Sequence, residues 1–217
     1  MKAYWIKTHR IIKKLFSNFI WDIPNNENKV YLTFDDGPTP EITQWVLNQL
    51  EQYNAKATFF CIGKNIVAHP EIFTKIIKKG HRIGNHTHNH LNGWKTTTSE
   101  YLEDFELCEN SISNQKSAPG IPGLISKIFR PPYGKIKPAQ AKKLQQKGYK
   151  IIMWDVLSAD FDTSITKEEC LHNVVNHTQS GSIIVFHDSI KAFKNLEYTL
   201  PKVLKHLAKN NYSFETL

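Results

Sequence analysis

Apolar runs that do not alternate with polar residues, spaced by helix-length segments, set the tightest limit on what this chain can fold into. Residues 30–34 and 182–186 are β-branched, aliphatic or aromatic almost throughout, as strands buried on both faces must be. The pattern places further strands over 57–62, 128–130 and 150–156. Helices are expected over 41–53, 70–79, 99–113, 139–147, 167–179 and 196–210, three of the helical stretches closing at Gly80, Gly148 or Gly181. Strands and helices in alternation specify a parallel sheet covered by helices. Periodicity alone does not separate an open sheet from a barrel. At 217 residues and 40% hydrophobic content the chain can bury one sizeable core.

The first strand stops at Asp35-Asp36-Gly37-Pro38, two adjacent carboxylates followed by a turn signal. Like charges held close push their pKa values apart unless a cation shares the site. The pair therefore suggests one carboxylate on a metal and one free as a base, against the plainer reading of a solvated turn. The segment 84–90 then carries His86, His88 and His90. His86 and His90 stand at i and i+4, which on a helical turn share a face and can converge on one ion, leaving His88 as the bystander. Two His and one carboxylate leave open coordination positions, as a catalytic centre requires.

Three later segments complete a series: Arg130-Pro131-Pro132-Tyr133-Gly134, Trp154-Asp155 through Asp160-Phe161, and an apolar strand ending in His187-Asp188. With Thr33–Pro38 and His86–His90 these resemble, in order, the five signatures of the polysaccharide deacetylases, the NodB-like carbohydrate esterases of family four. The resemblance implies a distorted (β/α) barrel of about seven parallel strands, with its site at the C-terminal strand ends. It implies that Asp36, His86 and His90 hold a divalent ion, Zn²⁺ before Co²⁺ or Ni²⁺, and that Asp35 is the base. Arg130 would orient Asp35, the Tyr133 N–H would stabilise an oxyanion, and His187, held by Asp160, would be the acid. Tyr133, Phe161 and Trp94 are the expected substrate contacts. The family usually has Trp where Phe161 stands, so this wall is smaller and lacks an indole N–H. Asp155 and Asp162 are alternatives for the role given to Asp160.

The expected activity is removal of acetyl groups from N- or O-acetylated sugars of peptidoglycan or chitin-like oligomers. A deacylase of a lipid- or nucleotide-linked amino sugar is an alternative reading. So, further down, are a non-catalytic metal-containing carbohydrate module and an iron oxygenase using the same two-His, one-carboxylate set. The formal charge of +8 suits anionic surfaces, but no nucleic-acid motif is present, so none is expected as partner. Cys61, Cys108 and Cys170 are odd in number and widely spaced, which argues against a disulfide framework. Residues 1–24 are expected to form an amphipathic helical extension and 25–217 the catalytic domain. Lysines interrupt every apolar run near the start, so no signal peptide is expected. The expected location is the cytoplasm or the face of an anionic membrane, with the stripe Ile11, Ile12, Leu15, Phe16, Phe19 and Ile20 packed on the domain or laid on lipid.

Overall fold

The computed structural model describes residues 4–115 and 125–217. In chain order, α1 (Arg10–Leu15) precedes β1 (Lys29–Asp35), α2 (Ile42–Glu51), β2 (Ala57–Cys61), α3 (Gly63–Ala68), α4 (Pro70–Lys78) and β3 (Arg82–Asn85). Then follow α5 (Thr98–Asn114), β4 (Ile125–Phe129), α6 (Pro138–Gln146), β5 (Lys150–Ile151) and β6 (Val156–Leu157). The chain ends with α7 (Lys167–Val175), β7 (Ile183–His187), α8 (Ile190–Lys209) and β8 (Ser213–Phe214). The strands lie in the order β5-β4-β3-β2-β1-β7-β6, with β8 beside the start of β1. Every pairing between these named strands is parallel, and the seven strands curl into a distorted (β/α) barrel. Helix α3 and the short β8 were not expected from the sequence, and the loop expected over 114–126 lies mostly outside the described residues.

β1 is central, and the two-residue period of a strand explains its composition. Leu32 and Phe34 turn to the helices, where Phe34 stacks between Phe59 at 5.1 Å and Phe186 at 5.9 Å. Tyr31, Thr33 and Asp35 turn the other way: Tyr31 packs with Phe60, Ile128, Ile152 and Ile183, and Arg130 bonds both Thr33 and Asp35. A charged group thus lies deep inside the barrel, its guanidinium 4.2 Å from the Phe60 ring centroid.

The single strand expected over 150–156 is two short strands, β5 on β4 and β6 on β7. Arg130 is the reason. Its Nε and Nη2 donate to the carbonyls of Ile152 (3.3 Å) and Met153 (2.9 Å), so that stretch cannot continue a regular ladder. The same stretch joins the two sides of the barrel, Ile152 N–H bonding Phe129 O (2.8 Å) and Asp155 N–H bonding Ile183 O (3.0 Å).

The expected inward stripe of the N-terminal segment is half reversed. Phe19 and Ile20 pack inward, but Ile11 and Leu15 are each 71% exposed. Lys13 points in instead, because a fully buried carboxylate is there to receive it. Asp155 accepts from Lys13 at 2.5 Å, Lys7 at 2.6 Å and Ser182 at 2.6 Å, and Lys13 also bonds Asp22. Desolvation of Asp155 without these partners would be prohibitive. Among the described residues no helix is long and apolar enough to cross a membrane.

Candidate active site

The β1–β7 register sets Asp35 directly opposite His187, so two groups far apart in sequence become neighbours at the C-terminal strand ends. Asp35 is buried, and Arg130 Nη1 donates to its Oδ1 at 2.7 Å. Burial pulls the Arg130 guanidinium below its usual range and Asp35 opposes that pull. At the end of β7, His187 donates two hydrogen bonds to Asp160 in the loop after β6, one from the ring Nδ1–H (2.7 Å) and one from the backbone N–H (2.8 Å). Burial works against the charged imidazole, but Asp160 outweighs it with help from Asp36 and Asp35, and His187 is pushed up to about 9.

Beside this pair, one ligand atom from each of Asp36, His86 and His90 lies within 4.8 Å of the others. Asp36 Oδ1 is 3.3 Å from His90 Nε2 and 3.7 Å from His86 Nε2. It is buried and has no hydrogen-bond partner among the described residues, a costly state that a cation would relieve. His86 Nδ1–H donates to the Arg130 carbonyl at 2.7 Å, which leaves the Nε2 lone pair for a ligand. Burial, reinforced by His90, lowers His86 to about 3, and burial also lowers His90, so both rings are held neutral as metal ligands must be. The donor set fits a divalent ion.

The expected helical turn over the histidines is not what brings them together. The segment is a loop in which Thr87 (φ 63°) and His90 (φ 58°) adopt left-handed backbone, each at a cost of roughly 1–3 kcal/mol. Asn85 and Asp104 hold that loop in place. Asn85 Oδ1 accepts from Thr87 N–H (2.8 Å), and Asp104 Oδ2 accepts from the N–H groups of His88 and Asn89, both at 2.9 Å. His88 turns away toward Ser111.

The carboxylate turn is supported in the same way, by residues to which the sequence reading gave no part. Asp188 accepts from Gly37 N–H (3.1 Å) and Thr43 Oγ1 (2.5 Å), and Asn65 Nδ2 donates to the Asp36 carbonyl (2.7 Å). A Cβ on Gly37 would come within 2.0 Å of the Asp188 carboxylate, so only glycine fits. A signal for Asp188 existed, since it directly follows His187. Asp104 gave none, being one acid among several on a helix.

Tyr133 sits in a left-handed conformation (φ 60°) in the Pro131–Lys135 turn, which Gly134 N–H and Lys135 N–H close onto Pro131 O and Pro132 O, both at 3.0 Å. Its hydroxyl is 3.1 Å from His90 Nδ1. The cleft of about 800 Å³ is lined by Asp35, Asp36, His86, His90, Tyr133, Phe161 and His187, among others. Trp94 is not in that lining. It is 61% exposed, its indole donating to Ile136 O (3.3 Å) and its ring 5.3 Å from Lys135 Nζ. Neither alternative acid replaces Asp160: Asp155 serves the lysines, and Asp162 receives the Tyr4 hydroxyl.

A family model described as polysaccharide deacetylase matches residues 22–152. A peptidoglycan-N-acetylglucosamine deacetylase of Bacillus cereus is 36% identical over 198 residues, covering 91% of this chain and 90% of the relative. Chitin deacetylase 2 of Saccharomyces cerevisiae is 32% identical over 186 residues, covering 82% of this chain and 55% of the relative. The crystal structure of the Bc1960 peptidoglycan N-acetylglucosamine deacetylase with a naphthyl-substituted N-hydroxybenzamide aligns with a TM-score of 0.83 at 32% identity, covering 92% of this chain and 91% of that one. Matched over more than half its length by the family model, and along most of it by these enzymes, the chain belongs to the polysaccharide deacetylase family and is a carbohydrate deacetylase of the NodB-like type.

Proposed function

We propose that the protein is a metal-dependent hydrolase that removes acetyl groups from N-acetylated amino sugars of a glycan polymer, with peptidoglycan as the first choice and chitin-like chains as the second. The observation that carries this reading is the pairing of Asp35 with His187 across adjacent strands in the cleft that also holds Asp36, His86 and His90. An ion held by those three residues, Zn²⁺ first by the chemistry of the donors, supplies Lewis acidity toward the acetyl carbonyl and acidifies water. Asp35 accepts the proton of the attacking water, its carboxylate kept in place by Arg130. The Tyr133 N–H donates to the oxygen on which negative charge develops. His187, with its pKa near 9, is protonated at neutral pH and gives its proton to the departing amine. A binding module would need neither group. Lys135 and Lys191 also line the cleft, which favours a polymer bearing carboxylates.

The test is acetate release by the metal-reconstituted protein from peptidoglycan, N-acetyl chito-oligosaccharides, acetylated xylan and a lipid-linked amino sugar, each with and without chelator. Chelator-sensitive release, fastest from peptidoglycan, is expected. Release from none of them, with the ion present by elemental analysis, overturns the reading.

Peripheral contact with an anionic membrane belongs to the same proposal. The outward Ile11 and Leu15 of α1, flanked by Arg10 and Lys14, present apolar side chains beside basic ones, and Trp5 is exposed on the preceding segment. Co-sedimentation with anionic vesicles should be lost on substituting Ile11→Ser with Leu15→Ser. Equal binding by that variant removes this part.

A further inference from the structure

One wall of the cleft comes from outside the five signature segments. Tyr4 lines it together with Asp35, Asp36, His86, His90 and His187. The segment that carries Tyr4 runs antiparallel to β6, with Lys7 bridged to Val156. Leu157 N–H bonds Ile6 O (2.8 Å), Thr8 N–H bonds Asp155 O (2.9 Å), and Thr8 Oγ1 donates to Trp154 O (2.8 Å). In this register alternate residues face opposite ways. Tyr4 and Ile6 turn in and pack around Leu157, Ala159 and Val185 beside Phe161. Trp5 turns out and is 57% exposed, and Lys7 reaches buried Asp155.

The Tyr4 ring meets Phe161 edge-on at 5.6 Å, Phe161 meets His187 edge-on at 5.1 Å, and the Tyr4 hydroxyl donates to the Asp162 carboxylate. Phe161 occupies the position where the resemblance implies a tryptophan, and on that wall its smaller ring is joined by a second one, that of Tyr4. We propose that Tyr4 is a specificity-determining residue of the deacetylase: with Phe161 it forms the aromatic wall beside His187 against which the acetylated amino sugar packs. The N-terminal segment is then part of the substrate site. This inference rests on the deacetylase reading above and concerns the same cleft.

The test uses the full chain loaded with metal and compares Tyr4→Ala, Tyr4→Phe and the outward Trp5→Ala on N-acetyl chito-oligosaccharides. Truncating the wall should raise KM about tenfold, the scale of a lost apolar contact in a pocket, with a smaller change in kcat. Tyr4→Phe, which keeps the ring, should hold KM near the parent value, and Trp5→Ala should change neither constant. The Kd of the same oligosaccharide for the Asp35→Asn protein, read by titration calorimetry, should weaken about tenfold when Tyr4→Ala is added. Melting temperature and metal content are followed for every variant. Unchanged KM and Kd in Tyr4→Ala overturn the inference. So does a KM increase in Tyr4→Phe as large as in Tyr4→Ala, or one that appears only with lost metal. A parent protein that binds the oligosaccharide but releases acetate from none of the substrates named above overturns the deacetylase reading alone, because the Kd comparison still decides the role of Tyr4.

Discussion

Asp35 and Asp36 are chemically the same and adjacent, yet their surroundings divide the work. Asp35 is tied to a buried guanidinium at 2.7 Å, whereas Asp36 Oδ1 has imidazole nitrogens for neighbours and no hydrogen bond among the described residues. Asp35→Asn should therefore lower kcat by about 10²–10⁴-fold, the usual contribution of a positioned base, while elemental analysis still finds the ion. Substantial residual turnover would refute the assignment. His187 gives a pH test with a definite sign. Its pKa is raised against burial mainly by Asp160, so the acid is lost as pH rises through about 9. Asp160→Asn removes that charge, and the alkaline limb of the kcat/KM profile should move to lower pH. A limb that stays in place would assign the proton donor elsewhere. Asp35 and His187 were legible in the sequence because each ends a strand, and parallel strand ends meet at one face. Asp104 and Asn65 were not, because they act by hydrogen-bonding loops that only the fold brings to them.

The strands and most helices follow from apolar periodicity, and two of the departures, the split of 150–156 and the turned N-terminal stripe, share one cause, which is a buried charge finding partners far away in sequence. Arg130 takes the carbonyls of Ile152 and Met153 and divides an apolar run that reads as a single strand. Asp155 draws in Lys13 and turns a helix stripe around. Hydrophobic period reports where apolar surface can be buried and says nothing about such pairs. Asp155 also makes the N-terminal segment testable as an element. Replacing Lys7 and Lys13 together with Met leaves its carboxylate buried without a cation and should cost about 3–5 kcal/mol in urea unfolding. Asp155→Asn should cost less, because the two lysines can then turn to water. Burial raises the Asp155 pKa, but Lys13, Lys7 and Ser182 together bring it below the ordinary value. The stability it contributes is present above the unfolded pKa of about 3.9 and is lost as pH falls through the lower, folded value. Asp155→Asn should remove this component of the acid transition. An equal cost for both substitutions would mean that packing, not charge, holds the segment.

For the whole molecule, the three residues proposed to hold an ion come from two loops whose parent strands, β1 and β3, are separated by β2, so binding it would tie together segments that unfolding must part. Only the folded chain assembles Asp36, His86 and His90 within 4.8 Å, and a ligand that binds the folded state alone stabilises it by mass action, by about 4 kcal/mol at a thousandfold excess over Kd. In a chain of this size that corresponds to a rise of roughly 8–16 °C in melting temperature. Stripping the ion with chelator should lower the melting temperature by that order, and adding Zn²⁺ back should restore it. His86→Ala removes a ligand that is itself held by the Arg130 carbonyl, so its melting temperature should no longer respond to the metal. Asp35→Asn, which leaves all three ligands intact, should respond as fully as the parent. That contrast separates holding the ion from using it. A parent protein whose melting ignores both chelator and Zn²⁺ would remove the metal from the mechanism, whatever the family's habit, and leave Asp36 Oδ1 as a buried acceptor in need of another partner.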